Sequence, residues 1–173
     1  MRISWRASSS RALIAWLGGS ACISVTWPES GPIFARDLSA RGLAIGDFDN
    51  DGAVDVLVSV NDAAPLLLRN TAAKGNHWLG IKLVGKTSNR DAVGTRITYQ
   101  AGDLKRSRMK VGGGSYLSSH DPRMVLGIGK RTKMDWLEVK WPEPSGKTEK
   151  FTELPIDRYI TIIEGEGIQT MHA

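Results

Sequence analysis

A run of alternating aspartates between β-prone segments constrains this chain more than any other feature. Residues 47–55 read DFDNDGAVD. Carboxylates at alternate positions of a tight loop deliver several oxygen ligands to one Ca²⁺, and a glycine at the sixth position permits the turn. The pattern predicts a Ca²⁺ site in which Asp47, Asp49 and Asp51 ligate through their side chains and Asp55 ligates directly or through a water. Ala53 would ligate through its backbone carbonyl.

The same spacing opens an EF-hand loop, but the rest of the segment favours a β-hairpin. The twelfth position of an EF-hand is a bidentate Glu, whereas this chain has Val58 there. Leu43–Ile45 and Val54–Val60 are β-branched or alternating runs, which are typical of strands. A plain acidic turn is the simpler alternative. Four aspartates at fixed spacing would repel one another without a cation, so we expect Ca²⁺ at the tip of a hairpin.

The hairpin and its flanks, residues 29–70, resemble the FG-GAP (VCBS-type) repeat of integrin-like β-propellers. The aspartate loop carries most of the likeness. Pro65–Asn70 (PLLLRN) is similar to the strand and turn that end such a repeat. The resemblance implies an incomplete β-propeller repeat with a Ca²⁺ loop, and a chain that is a fragment of a larger propeller protein.

The first 28 residues differ in character from the rest. Three arginines precede the apolar run Ala12–Leu17, and small residues follow it. This outline is typical of a secretory signal, which predicts an extracellular or periplasmic protein without a membrane span. Sequence upstream of a truncated reading frame is the alternative, which leaves a cytoplasmic location open.

The remainder of the chain favours an all-β protein. Among 173 residues there are 19 glycines and one cysteine, so no internal disulfide or multi-cysteine zinc site is expected. Residues 71–76 are small and polar and are predicted to be a linker. From His77 onward, strand patterns recur between turn signals. They predict a β-sandwich of some seven strands over residues 77–168.

This second region resembles the ASPIC/UnbV domain. The likeness is carried by Asn76–Leu79, Ser88–Arg96, Gly113–Ser118, Leu126–Gly129 and Trp141–Pro142. The cartilage acidic protein family places this domain after FG-GAP-type repeats, which is the order found here. The resemblance implies a module rather than a chemical activity.

The turn Ser88-Asn89-Arg90-Asp91 is the candidate binding surface of the second region. Asn and Asp side chains commonly bond to the local backbone, so a structural turn is the alternative to ligand contact.

No catalytic residue is predicted. Gly112–Ser115 lacks the glycine that a dinucleotide loop or a nucleophile elbow requires, because Leu117 occupies that position. Ser119, His120 and Asp121 are neighbours in sequence, whereas a triad is assembled from separate elements.

Lys and Arg outnumber Asp and Glu by more than two to one between residues 74 and 150. The densest group is Lys105, Arg106, Arg108 and Lys110. A basic domain suits an acidic polysaccharide, an anionic surface or a nucleic acid. Alternating cations on an edge strand also prevent aggregation. Trp78, Trp136 and Trp141 fit either a sugar-stacking platform or ordinary packing.

Together these features predict a non-enzymatic, calcium-binding, extracytoplasmic interaction or adhesion module with an unknown protein or glycan partner. Two alternatives stay open. One is polyanion or nucleic-acid binding through the basic sandwich, and the other is an accessory domain of a hydrolase.

Overall fold

The fold is all-β. A computed structural model describes the backbone of residues 2–5 and 170 and, with side chains, residues 38–71 and 75–169. No helix occurs in these ranges, which confirms the predicted class, and none of their elements is suited to crossing a membrane as a helix. The strands are β1 (Arg2–Trp5), β2 (Ala40–Gly46), β3 (Asp55–Val60), β4 (Leu66–Asn70), β5 (His77–Val84), β6 (Arg96–Ala101), β7 (Leu104–Met109), β8 (Met124–Gly129), β9 (Trp136–Lys140), β10 (Thr148–Phe151), β11 (Tyr159–Ile163) and β12 (Gly167–Thr170).

Backbone contacts divide the chain into two units. Among the described residues, the first unit comprises 2–5, 38–48, 53–71 and 113–120. The second comprises 49–52, 75–112 and 121–170. Two segments are therefore assigned to the unit on the other side of the predicted linker. The tip of the aspartate loop, 49–52, belongs to the second unit, and the segment 113–120 belongs to the first.

The first unit is built on one sheet with the order β1-β4-β3-β2. β2 and β3 form the predicted antiparallel hairpin, in which Ile45 is paired with Val56. Leu66 and Leu68 of β4 are buried, and Val56 and Val58 pack against them. The alternating valines of β3 form this small apolar cluster because successive side chains point to opposite faces.

Two predicted segments lie largely outside the described residues. Of the proposed leader 1–28, only Arg2–Trp5 is described, and this strand pairs in parallel with β4. Residues 29–37, at the start of the proposed repeat, and residues 72–74 of the proposed linker are also outside the described ranges.

The second unit contains two four-stranded sheets. One has the order β12-β11-β5-β8 and the other the order β10-β9-β6-β7. In the first sheet, β5 pairs in parallel with β11, and Ile81 lies opposite Ile160. β7 is an edge strand, as its alternating lysines and arginines predict.

The two sheets share one core. Alternate residues of β5, β8 and β11 meet alternate residues of β6 and β9. The fully buried side chains of the core include Leu79, Ile81, Ile97, Tyr99, Leu126, Ile128, Leu137, Val139, Ile160 and Ile162. The hydroxyl of Tyr99 crosses the core and donates to the carbonyl oxygen of Gly127 at 3.2 Å. Burial of this apolar area is the main source of stability in the second unit.

Two strand boundaries differ from the sequence prediction. The sequence pattern predicts a strand from Val93 to Gln100, but β6 begins only at Arg96. Ala92 and Gly94 have positive φ angles of 54° and 93° and form a turn there. β12 is not predicted at all, since Gly167–Thr170 is short and carries no clear alternation.

Candidate metal centre

The aspartate loop joins the end of β2 to the start of β3. Its turn is made by Asn50 and Gly52, whose φ angles are 57° and 82°. Asn and Gly adopt this left-handed conformation at lower cost than other residues. The loop therefore bends where the sequence predicts, at the tip of an antiparallel hairpin.

The bend brings three of the four predicted carboxylates together. One oxygen each from Asp47, Asp49 and Asp55 lies within 4.8 Å of the others. Asp51 is outside this group and is exposed. Ala53, the predicted carbonyl ligand, is buried.

Asp55 is held in place by backbone donors from two directions. Its Oδ1 accepts the N–H of Asn70 at 2.7 Å, and its Oδ2 accepts the N–H of Phe48 at 3.2 Å. The side-chain amide of Asn70 donates in turn to the carbonyl oxygen of Val54 at 3.3 Å. β4 therefore fixes the last carboxylate of the loop. Sequence reasoning placed Asn70 in a closing turn and missed this role.

The donor set suits a hard cation. Asp47 and Asp55 are only 2% and 3% exposed, although they lie beside the third carboxylate, Asp49. Burying neighbouring negative charges is unfavourable unless positive charge or hydrogen-bond donors compensate. Carboxylate oxygens at short mutual distance are the ligands that Ca²⁺ takes. The residues present therefore fit the predicted ion.

The tip of the loop, residues 49–52, belongs to the second unit and packs on an aromatic ring there. A Cβ atom on Gly52 would lie 2.2 Å from the indole of Trp78. Glycine is therefore required at position 52 for two reasons: the φ angle is positive, and the indole of Trp78 leaves no room for a Cβ atom. Only the first reason could be read from the sequence.

An arginine adjoins the same tip. Nη1 of Arg123 donates to Oδ1 of Asn50 at 2.6 Å. Nε and Nη2 of Arg123 donate to the carboxylate of Asp121 at 3.0 and 2.7 Å. The guanidinium lies 4.2 Å from the ring centroid of Tyr159, which meets Trp78 edge to face. A planar, positively charged guanidinium group is attracted to the face of an aromatic ring, which favours this stacking.

The predicted binding turn at residues 88–91 is organised from within. Ser88 is buried, and its hydroxyl donates to the carbonyl oxygen of Pro142 at 3.3 Å. The side-chain amide of Asn89 exchanges two hydrogen bonds with the backbone of Val93, at 2.8 and 2.9 Å. Ser88 and Asn89 therefore make the backbone hydrogen bonds expected of a structural turn. The two charged side chains of the turn, Arg90 and Asp91, face solvent.

Glu164 is the residue beneath this turn that sequence reasoning missed. It is 3% exposed, and its Oε2 accepts the N–H groups of Lys86, Thr87 and Ser88 at 2.7, 2.9 and 2.9 Å. Burial opposes ionisation, but the nearby Ser145 hydroxyl and the backbone N–H groups of Ser88 and Lys86 prevail and lower the pKa of Glu164 from 4.5 to about 2.

The short Ser-His-Asp run makes separate contacts. Nδ1 of His120 accepts the backbone N–H of Ile45 at 3.4 Å. The carboxylate of Asp121 is bonded to Arg123, and Ser119 donates to the carbonyl oxygen of His120 at 3.5 Å. These contacts give structural roles to all three residues.

The three tryptophans do not form a common platform. Trp78 and Trp141 are buried, whereas Trp136 is half-buried on the outer side of its sheet. The indole N–H of Trp141 donates to Glu149. Of the three, Trp136 is the one that is not buried.

Comparison with known proteins agrees with the resemblance of the second region. The family described as ASPIC and UnbV matches residues 85–169. Cartilage acidic protein 1 of Xenopus tropicalis is 29% identical to the chain over 141 residues, which are 78% of this chain and 21% of the relative. The chain thus spans about a fifth of the length of the curated relative it matches.

Proposed function

We propose that this chain is a non-enzymatic, calcium-binding interaction module that acts outside the cytoplasm. The observation that carries the proposal is the meeting of Asp47, Asp49 and Asp55 within 4.8 Å at the tip of the β2–β3 hairpin. Ca²⁺ bound there would be held by this hairpin, which we interpret as an FG-GAP-type repeat of a propeller.

Calcium suits the loop better than magnesium. Ca²⁺ accepts irregular sets of six to eight oxygens, whereas Mg²⁺ requires near-octahedral geometry and keeps several waters. Two of the three carboxylates are buried and one is exposed. Such an uneven shell, completed by Asp51, the Ala53 carbonyl or water, fits the larger and more adaptable ion.

The extracytoplasmic setting is supported by the relative. The matched portion is 78% of this chain, more than residues 75–170 alone supply, so it includes part of the hairpin region. The name of that relative associates it with cartilage. We infer for this chain a metal-binding repeat followed by an ASPIC/UnbV domain.

The absence of enzymatic activity is proposed from the contacts of the candidate groups. Nδ1 of His120 accepts a backbone N–H, and Asp121 is bonded to Arg123, so neither is arranged to activate a serine. We expect an esterase, glycosidase and phosphatase screen to detect no turnover. A turnover that Ser115→Ala or His120→Ala abolished would contradict this part of the proposal.

Titration calorimetry of the full chain, stripped of metal by a chelator, tests the calcium site. Wild type is expected to bind about one Ca²⁺ per chain and to bind Mg²⁺ more weakly. Asp49→Asn removes an exposed charge from the cluster and is expected to weaken Ca²⁺ binding about tenfold or more. Asp62→Asn, at the exposed turn that follows β3, is the matched control. No heat with wild type, or equal losses in the two variants, would overturn the site.

A further inference from the structure

The outer face of the sheet β10-β9-β6-β7 is basic. The register of β6, β7 and β9 places Lys105, Gln100 and Trp136 in one row. A second row, four residues before Gln100 in β6, contains Arg96 and Lys140. Ile97, Tyr99, Leu137 and Val139 point the opposite way into the core. We call the residues Arg96, Lys105, Trp136, Lys140 and Lys150 the basic face.

Charge on this face is strongly unbalanced. Its four cations are all exposed in the described structure. Glu138, opposite Lys150 on the neighbouring strand, is the acidic residue among them. Charges of one sign on a flat surface raise the local concentration of an oppositely charged ligand.

Trp136 orders two of the cations. The Nζ atoms of Lys150 and Lys105 lie 4.7 and 5.5 Å from its ring centroid. Cation–π attraction acts at these distances. Two ammonium groups that are already held on one ring lose less side-chain entropy when an anion binds than two freely rotating lysines would. Trp136 is therefore a positioning residue for the pair.

We propose that the basic face binds a linear acidic polysaccharide. Its sulfate or carboxylate groups would meet Lys105 and Lys150 around Trp136, and Arg96 with Lys140 in the second row. The rows are about 13 Å apart at about 3.3 Å per residue, so an extended polymer reaches both and a small anion reaches one. The aromatic ring on this face is engaged by two lysines rather than open for stacking. Single-stranded nucleic acid is bound through stacked bases on open rings, so the glycan fits better.

Binding of heparin fragments of defined length to the full chain tests the proposal. We expect longer fragments to bind more tightly than disaccharides, with affinity that falls steeply as salt rises. Lys105→Gln combined with Lys150→Gln is expected to weaken binding about tenfold and to reduce the salt dependence. Lys82→Gln combined with Arg158→Gln removes the same charge from exposed residues elsewhere in the second unit, and it should change affinity less than about twofold.

The contribution of Trp136 is tested by two replacements. Trp136→Leu should weaken heparin binding and abolish the ring-current shifts of the Lys105 and Lys150 side-chain protons, whereas Trp136→Phe should retain part of both. A thermal melt shows whether each variant is folded. Unchanged heparin binding in a folded Trp136→Leu variant would overturn the positioning role.

Two further arms identify the ligand chemistry. Hyaluronate carries carboxylates without sulfate, so comparison with heparin separates the two anion types. Polyuridylate is the nucleic-acid arm. Tighter binding of polyuridylate than of heparin, or equal losses in the two double variants, would overturn the proposal. Because every measurement is made both with Ca²⁺ and with a chelator, the result stands apart from that of the calcium site.

Discussion

The backbone N–H of Ser88 donates a 2.9 Å hydrogen bond to the carboxylate of Glu164, which lies 76 residues later in the chain. The same oxygen accepts the N–H groups of Lys86 and Thr87. Three successive donors on one carboxylate oxygen fix the turn after β5 to the end of β11. β5 and β11 are neighbouring parallel strands, so these hydrogen bonds hold their carboxyl ends together.

Glu164→Gln is expected to destabilise the fold at neutral pH by about 1–3 kcal/mol, because a charge-assisted acceptor is replaced by a neutral amide. The pKa of Glu164 is lowered from 4.5 to about 2 in the folded chain. Its ionised form therefore stabilises the fold above pH 4.5, and this contribution is lost as the pH falls from 4.5 toward 2. Denaturant unfolding at several pH values measures both effects.

Glu166→Gln is the control for this prediction, since Glu166 is exposed and pairs with Lys86 at the surface. It should change the free energy of unfolding by less than about 1 kcal/mol. A gap between wild type and Glu164→Gln that stayed constant down to pH 2 would show that the carboxylate is not the stabilising group.

Gly52→Ala and Gly113→Ala form a matched pair. Both glycines have positive φ, 82° and 73°, so each alanine is strained by about 1 kcal/mol. A Cβ at Gly113 meets nothing within 4 Å, whereas one at Gly52 enters the ring of Trp78. We expect Gly52→Ala to lose an additional 1–3 kcal/mol, roughly the cost of overpacking. Equal losses of unfolding free energy would mean that the loop tip does not depend on this close approach.

Arg123→Ala and Arg131→Ala compare a stacked arginine with a surface arginine. Arg123 and Asp121 are largely buried as a pair, and although burial raises the pKa of Asp121, the hydrogen bonds of Arg123 lower it overall. Arg131 bonds to Asp103, whose side chain is 86% exposed. We expect Arg123→Ala to destabilise by about 2–4 kcal/mol because a half-buried carboxylate loses its partner. Arg131→Ala should cost at most about 1 kcal/mol.

Thermal and denaturant unfolding at low and high salt measure the difference. The small effect of Arg131→Ala should decrease at high salt, since the ion pair with the exposed Asp103 is screened, while the bond to the carbonyl oxygen of Ile128 is not. The effect of Arg123→Ala should persist, because the stacking on Tyr159 and the bond to Asn50 are lost as well. A loss for Arg123→Ala that salt removed would contradict the buried character of the contact.

Local patterns made most of the strands predictable. Alternation in Trp136–Lys140 and the valines of β3 determined strand type because one face of each is buried. The aspartate loop was placed on its hairpin by the same reasoning. These signals act over a few residues, and a single sequence records them directly.

Pairings between distant residues could not be predicted. Nothing around Glu164 indicates that it accepts the N–H groups of residues 86–88, and nothing around Gly52 indicates the indole of Trp78. Both depend on tertiary structure that brings remote segments together. The assignment of residues 113–120 to the first unit is of the same kind, since it depends on contacts such as that of Ile45 with His120.

The last prediction concerns the fragment 75–170, which we expect to fold alone. Its two sheets share a core of fully buried side chains contributed by β5, β6, β8, β9 and β11. Such a core supplies its own apolar burial and needs no further partner. The fragment lacks Asn50 and Gly52, so it loses the bond to Arg123 and the contact with Trp78, and its melting temperature should fall by several degrees.

Hydrogen exchange should show full protection in the core strands. Residues 113–120 should become less protected, because Ile45, which donates its N–H to His120, is missing. Uniform loss of protection throughout the core strands would show instead that the second unit requires the first in order to fold.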